Sequence, residues 1–215
     1  MPADKRRKAM LDDASVHFAE YGFESTTRDI ADALGVTQAL IYKHFESKED
    51  LIEQTLERNF AANADDGPWI DPDRPIRDEL LRFYCGFVGR SSEVRMRLFI
   101  RAGLDGRSWP TRRGHKLNSG LFVPIIAALR VRAGLPFFDT LPAMRGEREL
   151  VMTLHASMVF LGIRRHIYGM VMPDNLDDVV GLYVSNFLAG ADSTIRGLHN
   201  DGEDSLTIPF AAGPN

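Results

Sequence analysis

The stretch TTRDIADALGVTQALIYKHFESKEDL, residues 26–51, limits what this chain can become more than any other segment. It holds two short helical patterns, one on each side of Gly35. Helices of about two turns are marginal in isolation, so neighbouring elements must hold them in place. Thr26 or Thr27 can cap the first, whose apolar face is Ile30, Ala31 and Leu34. Gly35 makes the turn, and Thr37 can cap the second helix, which runs through Phe45. Ser47 precedes Asp50 in the S-x-x-D form of a capping box and opens a further helix over about 48–62. Upstream, Met10 or Leu11, Ala14 and Phe18 mark one apolar stripe of a helix over 5–21, ended by Gly22 in the left-handed conformation.

Two helices joined by a tight glycine turn are the sequence form of a helix-turn-helix, whose second helix enters the major groove of DNA. Ile30, Ala31, Leu34, Val36 and Ile41 can pack the pair together, with Phe18 and Phe45 from neighbouring elements. Outward, Gln38 lies on the first turn of the second helix and can offer a bidentate amide to adenine. Arg28 starts the preceding helix, within reach of guanine or phosphate. Tyr42, Lys43 and Lys48 are donors suited to phosphate oxygens, and Lys48 also sits at a helix N-terminus.

Charge constrains this reading. The chain carries 26 Lys/Arg against 30 Asp/Glu, and residues 1–60 hold 8 against 12, so the whole deficit falls on the segment expected to meet DNA. A nucleic-acid binder is expected to show a basic footprint, so the assignment rests on where the charges sit. Asp12, Asp13, Glu49, Asp50, Glu53 and Glu57 belong to the flanking helices and can face away.

The combined pattern is specific. Through YGF, TT, IA…LGV, IYKHF and SKEDL, residues 10–55 resemble the N-terminal domain of the tetracycline-repressor (TetR) family of transcriptional regulators. The resemblance implies an all-α homodimer: an N-terminal three-helix DNA-binding head, then a helical C-terminal domain with a ligand pocket and a dimer-forming helix pair. By position, Gln38, Ala39 and Leu40 would face bases, with Arg28 a further candidate. Thr27, Thr37, Tyr42, Lys43 and Lys48 would hold the DNA backbone, and His44 could do either. Leu40 departs towards bulk: it can touch a thymine methyl but donates no hydrogen bond. That substitution and the acidic head would also suit an all-α dimeric ligand-binding adaptor that does not read DNA.

Domain limits follow from punctuation. ADDGPWIDPDRP, with three prolines and no apolar period, marks a boundary. It separates a helix-turn-helix domain over 1–62, including the linking helix 48–62, from an all-helical effector-binding and dimerisation domain over 63–200; residues 201–215 read as a tail. Further helices are expected over about 75–89, 92–105, 118–134, 147–169 and 174–197. The last two carry apolar rows, and Leu154, Leu161, Val180, Tyr183, Val184, Phe187 and Ala191 are assigned to the dimer interface, with Gly181 and Gly190 permitting close approach. Phe99, Phe122, Met152 and Phe160 are candidates to line a pocket for an apolar effector.

The remaining features are mostly exclusions. The basic run Arg95, Arg97, Arg101, Arg107, Arg112, Arg113 and Lys116 could meet the acidic flank of the head. His155 and His166 lie three turns apart on one helix, about 16.5 Å at ~1.5 Å per residue, too far to chelate one metal. With no nucleophile pattern and no phosphate loop, an enzyme is not expected, nor a cofactor or metal. Cys85 alone cannot form an intrachain disulfide. The longest apolar run, LFVPIIAAL, is too short to span a bilayer, so a cytoplasmic protein without membrane partners is expected.

Overall fold

The computed structural model describes residues 3–60, 69–71, 73–107, 117–138 and 145–200. Within them all regular structure is helical and no strand occurs, as the apolar periodicity requires. The elements are α1 (Ala3–Tyr21), α2 (Thr27–Ala33), α3 (Gln38–His44), α4 (Lys48–Phe60), α5 (Ile76–Gly89) and α6 (Glu93–Leu104). A π-helical turn (Asn118–Phe122) then runs into α7 (Val123–Ala133), followed by α8 (Arg145–His166) and α9 (Leu176–Asn200). The expected end of the linking helix at 61–62, the tail 201–215, and Arg112, Arg113 and Lys116 lie outside the described residues.

Packing divides the chain into two compact units, and neither is contiguous in sequence. Among the described residues, the first draws on 3–60, 90–107 and 162–171, the second on 69–71, 73–89, 117–138, 145–161 and 172–200. Chain order alone would join 90–107 to the C-terminal domain; packing groups it with the head.

The first unit closes around α1. Both Met10 and Leu11 are buried, with Ala14 and Phe18, against Leu51, Ile52 and Leu56 of α4 and Leu98 and Ala102 of α6. Gly22 ends α1 at φ +82°, as expected. Arg101 satisfies the carbonyls exposed there: its Nε donates to the oxygen of Ala19 at 3.0 Å and its Nη2 to that of Glu20 at 2.7 Å. The basic run therefore meets the head through backbone carbonyls and ring faces. Arg95 lies over Phe60 and Arg107 over Phe23, at 5.6 and 4.6 Å from the ring centres. Arg97 pairs with Glu93 of its own helix at 2.9 Å.

In the second unit α9 packs on α5 and α7. One buried ion pair fixes three helices at once. Arg130 of α7 donates to both carboxylate oxygens of Glu147 on α8 at 2.6 and 2.7 Å, and His199 of α9 reaches Glu147 Oε1 at 3.0 Å. Phe138 covers the guanidinium face at 4.5 Å. Removing one partner from such a pair strands the other charge in the core and costs about 3–5 kcal/mol.

The expected regular helix over 118–134 begins instead as a π-turn. Pro124 supplies the reason: it has no N–H for the carbonyl four residues back, and its ring crowds that carbonyl, so the preceding turn widens.

Candidate nucleic-acid interface

The surface that could meet DNA is built from local rules. Thr26 caps α2 with a full reciprocal box: its hydroxyl accepts from Asp29 N at 3.2 Å, while the Asp29 carboxylate accepts from Thr26 N at 3.0 Å. The Thr26 hydroxyl also donates to that carboxylate at 2.6 Å, holding its pKa below the ordinary carboxylate value. The T-x-x-D spacing that signals this box has the same form as the S-x-x-D of Ser47. Gly35 turns the chain at φ +63°, a conformation costly for any residue with a Cβ. Thr37 then caps α3, accepting from Leu40 N at 3.2 Å.

At α4 the box is shifted. Ser47 Oγ accepts from Asp50 N at 3.0 Å, but the Asp50 carboxylate takes its reciprocal bond from Glu46 N at 2.9 Å, one residue beyond the expected donor.

The two faces of α3 separate cleanly. Ile41 is fully buried with Ile30, Ala31, Phe18 and Phe45, and Leu34 and Val36 pack against the same core. Thr37, Gln38, Ala39, Tyr42 and Lys43 are exposed, and so is Arg28 on α2. Thr27, Leu40, His44 and Lys48 are half-buried. Leu40 leans on the core, which accounts for an apolar residue at a position expected to face bases. Tyr42 and Thr27 share a hydrogen bond at 3.1 Å between their hydroxyls, joining the outer face of α3 to the start of α2. Among the expected acidic neighbours, Asp12 is occupied by Arg58, at 2.7 and 2.8 Å, and Asp13, Glu49, Glu53 and Glu57 are exposed on the flanking helices.

A buried-core, polar-front pair of this kind matches a known family. Residues 10–55 fit the model described as bacterial regulatory proteins, tetR family. Over 52 residues the chain is 48% identical to the HTH-type transcriptional repressor KstR2 of Rhodococcus jostii RHA1, covering 24% of this chain and 26% of that protein. Residues 10–55 are similar in sequence to the tetR family.

Beyond the head, likeness to tetR proteins is a matter of fold. A TetR-like transcriptional regulator from Rhodococcus sp. RHA1 superposes with a TM-score of 0.66 at 19% identity, covering 88% of this chain and 99% of that one. A TetR family transcriptional regulator from Pseudomonas syringae pv. tomato gives 0.60 at 20% identity, over 87% and 97%. The sequence match spans only about a quarter of the length of KstR2.

Two sets of expected site residues are placed differently by the fold. Six of the seven residues assigned to the dimer interface, Leu154, Leu161, Val180, Val184, Phe187 and Ala191, are buried in the chain's own core, and Tyr183 packs against it. Their apolar row is real, but it is spent inside the second unit, so they leave little surface for a partner. The outward row of α9 is Leu182, Ser185, Asn186, Ala189 and Gly190, with Leu182 66% exposed. On α8 it is Thr153, Ala156, Ser157 and Phe160. Among the described residues, no atom stands near where a Cβ on Gly190 would lie.

The four pocket candidates are drawn from both units. Phe99 belongs to the first unit, against Phe60 at 6.5 Å between ring centres. Phe122 is fully buried in the second unit, Met152 half-buried there, and Phe160 is half-exposed. Tyr84 carries no signal in the sequence beyond its place in an apolar helix. Its ring is fully buried among Phe83, Phe87 and His155, and its hydroxyl has no hydrogen-bond partner among the described residues. Desolvation pushes its pKa well above the ordinary phenol value. Among the described residues no His/Cys/Asp/Glu group could hold a metal, and no helix is long and apolar enough to cross a membrane.

Proposed function

We propose that this protein is a sequence-specific DNA-binding transcriptional regulator that acts as a repressor. The observation that carries the reading is the division of α3: Ile41 is locked in the core while Gln38, Ala39, Tyr42 and Lys43 stand exposed on one outer edge. Phosphate contacts from Thr27, Thr37, Tyr42, Lys43 and Lys48 set the register, and Gln38, Ala39 and Leu40, with Arg28 and His44 at the margins, read base edges. The Thr27–Tyr42 bond fixes the phenol where it can donate to a phosphate oxygen.

A two-fold dimer places two such helices roughly 34–36 Å apart and calls for a near-palindromic operator. The outward rows of α8 and α9 support that dimer, because small residues beside Leu182 and Phe160 let helices approach closely. A small-molecule effector bound in the second unit then releases DNA by favouring a conformation with the wrong helix separation, which requires differential affinity for the two conformations. Tyr84 suits that role, since a buried hydroxyl with no hydrogen-bond partner among the described residues gains a hydrogen bond from a ligand. The reading is tested by fluorescence anisotropy of purified protein on the DNA upstream of its own gene, with a salt titration. Tight, salt-sensitive binding that survives competitor DNA is expected; failure to bind at low ionic strength refutes the proposal.

A further inference from the structure

We infer that Lys5, Arg6 and Lys8 on the first turns of α1 form a second contact with the DNA backbone, beside the reading helix. The inference rests on the reading of α3 as a DNA-binding helix and adds to it a surface that the helix-turn-helix pattern does not contain.

Four consecutive cations, Lys5 to Lys8, make up half of the Lys/Arg in residues 1–60. All four are exposed. They stand at the positive end of α1, where a helix favours acidic side chains, and Asp4 is the only acidic residue of that turn. A sequence that breaks a local rule so consistently tends to do so for function.

Arg7 shows where this tract sits. It lies on the inward row of α1 with Leu11, Ala14 and Phe18. Its Nη2 donates to Gln54 Oε1 of α4 at 2.6 Å, and its guanidinium covers the ring of Phe45 at 5.5 Å. Phe45 is the residue that ends α3. Arg7 thus pins the start of α1 against the C-terminal end of the reading helix, and Lys5, Arg6 and Lys8 fan outward around that anchor. Asp12, the next carboxylate along α1, is already held by Arg58 and does not neutralise them. The deficit of positive charge over the head is therefore an average: four of its eight cations stand together on the first turns of α1, a local concentration of the kind a duplex backbone attracts.

The test uses the full-length protein and a fluorescein-labelled duplex of random sequence, titrated across a salt series. Three variants are compared with the wild type: Lys5→Ala/Arg6→Ala/Lys8→Ala, Gln38→Ala, and a charge-matched control, Arg77→Ala/Arg90→Ala/Arg165→Ala, in exposed positions elsewhere. The first should bind at least about tenfold more weakly, with a log–log salt slope shallower by about 2.7, close to 0.9 for each phosphate no longer neutralised. Gln38→Ala and the control should keep the wild-type slope. A wild-type slope in the first variant, or an equal weakening in the control, overturns the inference while leaving the reading of α3 intact. Absence of salt-dependent binding by the wild type itself overturns both.

Discussion

Gly22 and Arg101 fit together because Gly22 has no side chain: a Cβ there would stand 3.0 Å from Arg101 Nη1. The same guanidinium bonds the carbonyls of Ala19 and Glu20, so the end of α1 and the middle of α6 share one fastening. Gly22→Ala must adopt a left-handed backbone, at about 1–2 kcal/mol, and push Arg101 off its acceptors, at about 1 kcal/mol more. Urea unfolding should show a loss of about 2–3 kcal/mol. Adding Arg101→Ala should destabilise Gly22→Ala less than it destabilises the wild type, because the clash is relieved.

Base reading and backbone holding separate by mutation. Gln38→Ala should cost on the order of 1–3 kcal/mol on the operator and relax preference at one base position. Lys48→Ala should weaken binding about equally on all sequences and flatten the salt dependence by the share of about one phosphate. Selection from a randomised operator library, repeated for each variant, distinguishes the two; an unchanged preference for Gln38→Ala removes that residue from the base-reading set.

The outward row of α9 yields an assembly prediction. Leu182→Glu puts a charge in the proposed interface without touching the core, since Val180 and Val184 point inward. Light scattering coupled to size exclusion should show a dimer for the wild type and a monomer for the variant, with the helical circular dichroism unchanged. A dimer that persists in the variant would place the interface elsewhere.

His17 makes the first unit sensitive to acid. The side chain is buried, neither ring nitrogen has a hydrogen-bond partner among the described residues, and burial holds its pKa below 6.5 against the opposing pull of Asp29. The folded state thus binds a proton less readily than the unfolded chain. Its full stability is present above the unfolded pKa and falls as pH drops below about 6.5, levelling off beneath the folded pKa. Denaturation midpoints at about pH 7.5 and about pH 5.5 should differ less in His17→Phe than in the wild type. Equal differences would show that His17 is not the group that titrates.

Much of the head is legible in its residues. Gly22 and Gly35 both take positive φ, and Thr37 and Ser47 cap the helices they precede. Ile30, Ala31 and Ile41 form the expected seam. The inward and outward faces of α3 follow from the same spacing, so the candidate interface can be drawn from the residues alone. The second unit is less transparent. The helices fall close to their expected limits, yet the stripe on α9 that suited a partner packs on α5 and α7 instead.

The sequence by itself determined the helices, their caps and turns, and which edge of α3 meets solvent, because those depend on hydrogen bonds and side-chain rows only a few residues apart. Tertiary structure alone decided that segment 90–107 groups with the head, that Arg101 finds Ala19 and Glu20 across α6 and α1, and that Arg7 anchors a basic tract at Phe45. An apolar row states that a face must leave water; it does not state which surface will cover it. That choice belongs to the packing of the whole chain.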